Sequence, residues 1–481
     1  MVFSTITFLC VFLPVTILGY YIMPGRLKNI FLVFASFFFY AWGEPAAVWV
    51  MLLSVVVNYT LGLCLEKSKG HQKAILAAGV IVNIGILFAY KYSAFVMDTI
   101  EDITGAEIAV TRLSLPIGIS FYTFQGLSYV IDVYRSKKTE KGSDEQTITA
   151  IKNPFELALY ISMFPQLIAG PIVRFTQIAG QLKKREHSFE HFSSGAQRFI
   201  TGLAKKVILA NNMGLMADRI FNGDYSIMSC RVAWLGTIAY TLQIYLDFSA
   251  YSDMAIGLGE IFGFSFPENF NRPYISKSVS EFWRRWHMTL SGWFRDYVYI
   301  PLGGSRRGNV YLNLFIVFIL TGIWHGAGWG FLVWGLWHGI FVVAERFFMR
   351  NKKPSDDKEK KGLMLLKNAG GHLYTMLVVM IGWTLFRIEN IGDFFGYLAV
   401  MLGRHGSFSA YGLRYYLSDQ AIIYLIISAA VCIIPKRTVA GRWAQNGAVV
   451  ILKKVITLLL LALCYIYMIN STYNPFIYFR F

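Results

Sequence analysis

The chemistry of this sequence begins with histidines set among aromatic rings. His325 lies in TGIWHGAGWGFLVWGLWHG (321–339), near the junction of two apolar runs, with Gly322, Gly326, Gly328 and Gly330 around it. An ionisable side chain at membrane depth marks a functional site by default. The glycines allow close backbone approach or a helix break beside a cavity; the alternative is a histidine hydrogen-bonded between closely packed helices. Upstream, residues 267–308 hold His287, Arg284, Arg285, Arg295, Arg306 and Arg307 among Trp283, Trp286, Trp293, Phe282, Phe294, Tyr297 and Tyr299. A helix running on from Ser280 would place Trp283, His287 and Ser291 on one face at i, i+4 and i+8, with Arg284 in the same stripe. Arginine binds phosphate in bidentate fashion and stacks on rings. Arg284, Arg285 and Arg295, with Trp283 and Trp286, are therefore expected to bind an anionic, planar ligand such as the nucleotide of coenzyme A. The alternative for the same composition is an amphipathic helix whose arginines meet anionic lipid headgroups.

Other candidates carry less. His338 lies thirteen residues beyond His325, about 20 Å along a continuous helix. The two histidines share a site only if the glycines break that helix, so His338 is read as a structural or supporting residue. Asp247 and Asp253 sit inside the apolar stretch 243–256. Buried carboxylates need partners, which Arg or His of 267–308 would supply in structural ion pairs. His187 and His191 have a spacing a metal could use, but KKREHSFEHFSSG (183–195) reads as a solvated helix start without a third ligand. No metal and no tightly bound cofactor is expected. GxSxG, GxxxxGK and HExxH are all missing, which removes the usual support for serine hydrolase, nucleotide triphosphatase and zinc protease readings.

These residues must be positioned by a membrane protein. Of 481 residues, 55% are hydrophobic and only 15% charged, and the mean hydropathy is +0.48; soluble chains are better balanced. Apolar runs at 3–22, 28–43, 46–65, 74–91, 113–134, 231–248, 310–323, 327–347, 372–386, 420–435 and 449–470 read as spans or half-spans. Helices follow, because lipid leaves only helices and closed barrels with satisfied backbones and no strand alternation is visible. The first apolar run has no basic n-region and is read as a retained span. The net charge of +17 gathers in short clusters, such as Lys137-Lys138, Lys183-Lys184-Arg185, Arg306-Arg307 and Lys436-Arg437. Loops carrying Arg26 and Lys28, or Lys67, Lys69 and Lys73, alternate with an acidic loop carrying Asp98, Glu101, Asp102 and Glu107. That is the positive-inside pattern of a chain with an extracytoplasmic N-terminus, and not a nucleic-acid groove. Five scattered cysteines suggest buried thiols without a disulfide framework. The charged stretch Asn351 to Lys361 resembles a linker but does not divide the membrane fold. The expectation is one domain over 1–481, with N-terminal helices (1–112), a core (113–348) and C-terminal helices (362–481).

The blocks LPIGISFYTFQGLSYVIDVYR (115–135), FPQLIAGPIVRF (164–175), QIYLDFSAYSDMAIG (243–257), FNRPYISKSVSEFWRRWHMTLSGWFRDYVYIPLGGSRRG (270–308) and TGIWHGAGWGFLVWGLWHG (321–339), closing on YNPFIYFRF (473–481), resemble the membrane-bound O-acyltransferase family. The likeness is to its bacterial branch of alginate and peptidoglycan O-acetyltransferase subunits and teichoic acid D-alanyl transfer proteins. It implies an all-α polytopic bundle of roughly ten to twelve spanning or re-entrant helices, with opposed cytoplasmic and extracytoplasmic funnels meeting near the family's intramembrane histidine. By motif that residue is His325. The second family position falls on His287; eukaryotic relatives usually carry asparagine there, so positioning an acyl carbonyl or hydroxyl suffices.

Acyl transfer from a thioester to a hydroxyl needs the alcohol deprotonated as it attacks, and a neutral imidazole can take that proton. The resemblance thus implies His325 as general base, or as an acyl-imidazole nucleophile, with His287 positioning. The expected donor is cytoplasmic acetyl-CoA, whose acetyl group crosses the membrane to an extracytoplasmic polysaccharide through a partner transferase that accepts the acyl group. D-alanyl transfer from a carrier-protein thioester is the alternative within the family; a polysaccharide transporter or flippase is the alternative from another class, although no inverted repeat is visible. The expected location is a multi-pass protein of the cytoplasmic (inner) membrane, in contact with its lipids.

Overall fold

The computed structural model describes residues 1–106, 112–139, 148–350, 361–404, 411–434, 447–471 and 473–476. Among them every regular element is helical. The linker-like stretch 351–360 and the basic residues Lys141, Lys436 and Arg437 lie outside the described residues. The chain groups into two compact units, residues 1–199 with 251–267, and residues 200–250 with 268–481.

The first unit contains α1 (Phe8–Ile22), α2 (Lys28–Ala41), α3 (Ala47–Lys67), α4 (Gln72–Lys91), α5 (Ser93–Thr104), α6 (Ile119–Thr139), α7 (Pro154–Ser162), α8 (Phe175–Lys183) and most of α9 (Phe189–Ala204). α3 and α4 are long and apolar enough to cross a bilayer, while α1 and α2 are shorter apolar helices. Lipid offers no water to polar groups, so polar side chains inside a span must pair with each other. Asn58 of α3 and Asn83 of α4 do so reciprocally, each amide donating to the other's carbonyl oxygen at 3.0 Å and to its own helix at Ser54 O and Gly79 O.

The second unit contains α10 (Asn211–Phe221), most of α11 (Cys230–Ile261), the short α12 (Val279–Arg285) and α13 (Met288–Phe294), then α14 (Val310–His325), α15 (Trp329–Arg350), α16 (Lys361–Arg387), α17 (Ile391–Met401), α18 (Asp419–Ile433) and α19 (Gly447–Asn470). Spanning character falls on Trp329–Phe348, Leu365–Arg387 and Gly447–Asn470, with α14, α17 and α18 as shorter apolar helices.

The runs expected as spans at 113–134 and 231–248 form α6 and α11, which are not among the helices apolar enough to face lipid. Their polar residues are buried: Gln125, Ser128 and Asp132 in α6, and Thr237, Thr241, Gln243 and Asp247 in α11. Both helices thus enclose these polar side chains in protein rather than presenting them to lipid.

Candidate active site

His325 is the last residue of α14, and Gly326 leaves the helix with an extended backbone (φ −167°, ψ 159°) before α15 starts at Trp329. The glycines do break the helix, and α14 and α15 fold back as a hairpin. Their contact depends on missing side chains. A Cβ on Gly322 would sit 2.4 Å from Phe331 O, and one on Gly335 would sit 2.6 Å from Phe318 O. Small residues thus bring the two backbones together, as in other close membrane helix pairs.

The hairpin holds His325 in a cage of rings. Its imidazole lies edge-on to Trp324, Trp334 and Phe386, with centroids 5.0, 5.0 and 5.3 Å away, and the residue is 5% exposed. Trp334 also touches His338 at 5.1 Å, so one indole separates the two histidines. His338 is fully buried, also facing Trp283 at 5.0 Å. Neither of its ring nitrogens has a hydrogen-bond partner among the described residues. Nε2 lies where a Cβ on Gly382 would approach to 2.5 Å.

His287 does not lie within the continuous helix expected from Ser280. α12 ends at Arg285, and His287 has left-handed backbone angles (φ 43°, ψ 51°) before α13 starts at Met288. The cause is distant in sequence. Asn271 N donates to Arg285 O and Met288 N to Asn269 O, both at 2.9 Å, so the irregular stretch before α12 takes over bonds a helix would have used. Trp283, His287 and Ser291 therefore do not share a helical face, although the Ser291 hydroxyl still reaches Trp283 O at 3.4 Å. The N-terminus of α12 is fixed by Ser278 and by Glu345 of α15, whose carboxylate accepts from Val279 N (2.6 Å) and Ser280 N (2.8 Å).

Asn269 sets the state of His287. The Asn269 Oδ1 accepts from Thr289 Oγ1 (2.8 Å) and Thr289 N (3.4 Å), and lies 3.0 Å from His287 Nδ1. A backbone N–H can only donate, so Oδ1 is the acceptor and His287 Nδ1 carries the proton. Nε2 is then the lone-pair nitrogen. Burial against Phe248, whose ring lies 4.7 Å away, pushes the His287 imidazolium pKa down to about 3. Trp324 bridges His287 and His325, with centroids 6.1 Å from the first and 5.0 Å from the second.

The other expected residues divide. Trp283 and Trp286 are buried. Trp283 packs on Phe318, Trp334 and His338, and Trp286 on Phe270, Phe282 and Trp383. They belong to the aromatic core around Trp334 and Trp383 and are not exposed to a ligand's ring. Arg285 is held by Glu281 at 2.8 Å and Arg295 by Asp296 at 2.7 Å. Arg284 is exposed and has no ion pair among the described residues. The carboxylates find partners other than those expected. Asp253 pairs with Arg198 at 2.9 Å, and Asp247 with Lys206 at 2.9 Å, both members of the latter pair almost fully buried. Lys206 also donates to Pro475 O. Sequence reading missed Asn269, Trp334 and Phe386. The only signal for Asn269 was an amide between phenylalanines in PENFN (267–271).

The profile of the membrane-bound O-acyltransferase family matches residues 34–385. The chain is 41% identical over 400 residues to the probable alginate O-acetylase of Azotobacter vinelandii, covering 81% of this chain and 76% of the relative. It is 32% identical to the peptidoglycan O-acetyltransferase of Helicobacter pylori, over 100% and 98% of the two chains. The teichoic acid D-alanyltransferase of Bacillus subtilis is 29% identical over 49% of this chain and 60% of its own. A caged histidine at the end of a glycine-packed hairpin, in an all-helical chain with apolar spans, thus meets a family match running from α2 to α16: this chain is an acyltransferase of the membrane-bound O-acyltransferase family.

Proposed function

We propose that the protein moves an acetyl group from cytoplasmic acetyl-CoA across the membrane for O-acetylation of an extracytoplasmic polysaccharide, through a partner transferase that accepts the group. The observation that carries this reading is the cage of His325, an imidazole enclosed by three aromatic rings at the end of α14. In such a site, His325 acts as general base. It takes the proton of the attacking hydroxyl as oxygen bonds to the thioester carbon, the carbon–sulfur bond breaks, and the departing thiolate of the donor takes that proton back from the imidazolium. His287 positions rather than deprotonates. Held neutral, with Nδ1 committed to Asn269, its Nε2 accepts an N–H, such as an amide of the donor's arm, and keeps the thioester in register. Arg284, exposed and without an ion pair, is the arginine best placed to meet the donor's phosphates, with Arg285 and Arg295 turned to it only by giving up their carboxylates.

Acetyl rather than D-alanyl transfer is favoured by the longer and closer likeness to O-acetylating relatives than to the D-alanyltransferase. The test uses purified protein in lipid with labelled acetyl-CoA, wild type against His325→Ala. Release or transfer of label by the wild type, lost in a variant that still inserts and binds donor, is the expected result. Wild-type turnover in the variant ends the base assignment. Turnover only with a D-alanyl carrier-protein thioester ends the acetyl assignment.

A further inference from the structure

His187, half of a pair with His191 spaced as a metal could use, belongs to a different device. His187 Nε2 lies 2.8 Å from the hydroxyl of Tyr20, near the end of α1. That hydroxyl donates to Phe262 O at 2.9 Å and accepts from Arg185 Nε (3.3 Å) and Nη2 (3.2 Å). Arg185 is immobilised further by Asn29 Oδ1 at 2.7 Å and by the ring of Phe264, 4.2 Å below its guanidinium. Lys28, at the start of α2, places its ammonium 4.8 and 5.3 Å from the Tyr20 and Tyr21 ring centroids. All of these residues belong to the first unit.

Among the described residues no carboxylate lies within ion-pair distance of Lys28, Arg185 or His187. Partial burial, and after it the like charges of Lys28 and Arg185, hold the His187 pKa below its usual value. Exposed Lys183 and Lys184 add to the field. So do the backbone N–H groups at the N-terminus of α2, which have no side-chain cap. A concentration of positive charge held by hydrogen bonds and ring faces, with no ion-paired carboxylate among the described residues, is suited to an anion.

The neighbouring surface says which anion. Val11, Val15, Leu18 and Ile22 of α1 are 58%, 63%, 63% and 78% exposed. They recur at i, i+4, i+7 and i+11 on one helix face, a strip about 16 Å long at 1.5 Å per residue. That is close to the depth of one leaflet of a hydrocarbon core roughly 30 Å thick. The strip ends beside Tyr21 and the cation cluster. We propose that this cluster and the strip above it form a binding site for one anionic phospholipid, its phosphate held between Lys28 and Arg185 and an acyl chain laid along Val11, Val15, Leu18 and Ile22.

The full chain, delipidated in an uncharged detergent, is titrated with phosphatidylglycerol or phosphatidylcholine, and bound lipid is read by native mass spectrometry beside thermal unfolding. Phosphatidylglycerol is expected to bind at unit stoichiometry and raise the unfolding temperature, and phosphatidylcholine to do neither. At roughly 1 kcal/mol per basic residue near an anionic surface, Lys28→Gln and Arg185→Gln should each weaken retention about fivefold. Lys67→Gln with Lys69→Gln, on another basic loop, should not. Leu18→Asn should weaken retention with no charge changed. If Arg185→Gln unfolds, Lys28→Gln, whose ammonium lies over the rings of Tyr20 and Tyr21 and is in no ion pair among the described residues, decides alone. Unchanged retention in Lys28→Gln overturns the site. Equal stabilisation by glycerol phosphate or coenzyme A, displacing the lipid, overturns the lipid as its ligand.

Discussion

Gly322→Ala tests whether the α14–α15 hairpin sets the position of His325. The added Cβ would lie 2.4 Å from Phe331 O and 3.2 Å from the Cα of Gly335, against an ordinary contact of at least 3.4 Å. Both neighbours are backbone, so neither can rotate away, and the helices must part locally by about 1 Å. Overpacking of this kind costs about 1–3 kcal/mol of stability. His325 follows three residues later on the same helix, so its imidazole moves with the displaced turn. A misplacement of about 1 Å at a reacting group costs on the order of 100-fold in rate, about 2.7 kcal/mol of transition-state stabilisation. Initial rates of acetyl transfer at varied acetyl-CoA should show kcat reduced about 100-fold with KM little changed, because the lost interaction belongs to the transition state. Gly85→Ala on α4 meets no atom within 4 Å and serves as the control for a methyl added to an apolar helix. Folded Gly322→Ala protein with kcat within about twofold of wild type would refute the reasoning.

Two further outcomes follow from buried charge. Lys206→Met deprives Asp247 of its cation in a pair that is 2% and 1% exposed, and should destabilise the protein by roughly 3–5 kcal/mol, whereas Lys206→Met with Asp247→Leu should recover most of that loss; unfolding in a fixed detergent compares the three proteins, and equal stability of single and double variants would count against the pair. The second concerns acid. His287 stays neutral in the fold down to about pH 3, while in the unfolded chain it takes up a proton near its ordinary 6.5. The unfolded state therefore binds more protons below pH 6.5, and stability falls as pH drops from 6.5 toward 3, this one group contributing at most about 1.4 kcal/mol per pH unit. His287→Gln should lower that slope by up to one proton's share, and an unchanged slope would count against His287 as a titrating group.

The sequence alone determined the membrane class, most helix positions and the residues worth testing. Transfer from water to lipid is read over local windows of about 20 residues, so α3, α4, α15 and α19 were legible without neighbours. His325 stood out for a similar reason, since a histidine flanked by glycines inside an apolar run is conspicuous in any fold. The break at His287 was not legible, because the pattern from Ser280 to Ser291 is helical by itself and it is the hydrogen bonds of Met288 N to Asn269 O and of Asn271 N to Arg285 O that unwind it. The partners of Asp247 and Asp253 were equally hidden: a carboxylate in an apolar run announces that it needs a cation, but Lys206 and Arg198 come from other helices. The arginines of 267–308 show the same limit, since their composition cannot distinguish Arg284, which is exposed, from Arg285, which Glu281 holds. Tertiary structure also turned His187 from half of an apparent metal motif into part of a cation cluster on Tyr20. Periodicity and composition act along the chain, whereas pairing, tautomer and the approach of two backbones at glycine depend on groups brought together across it.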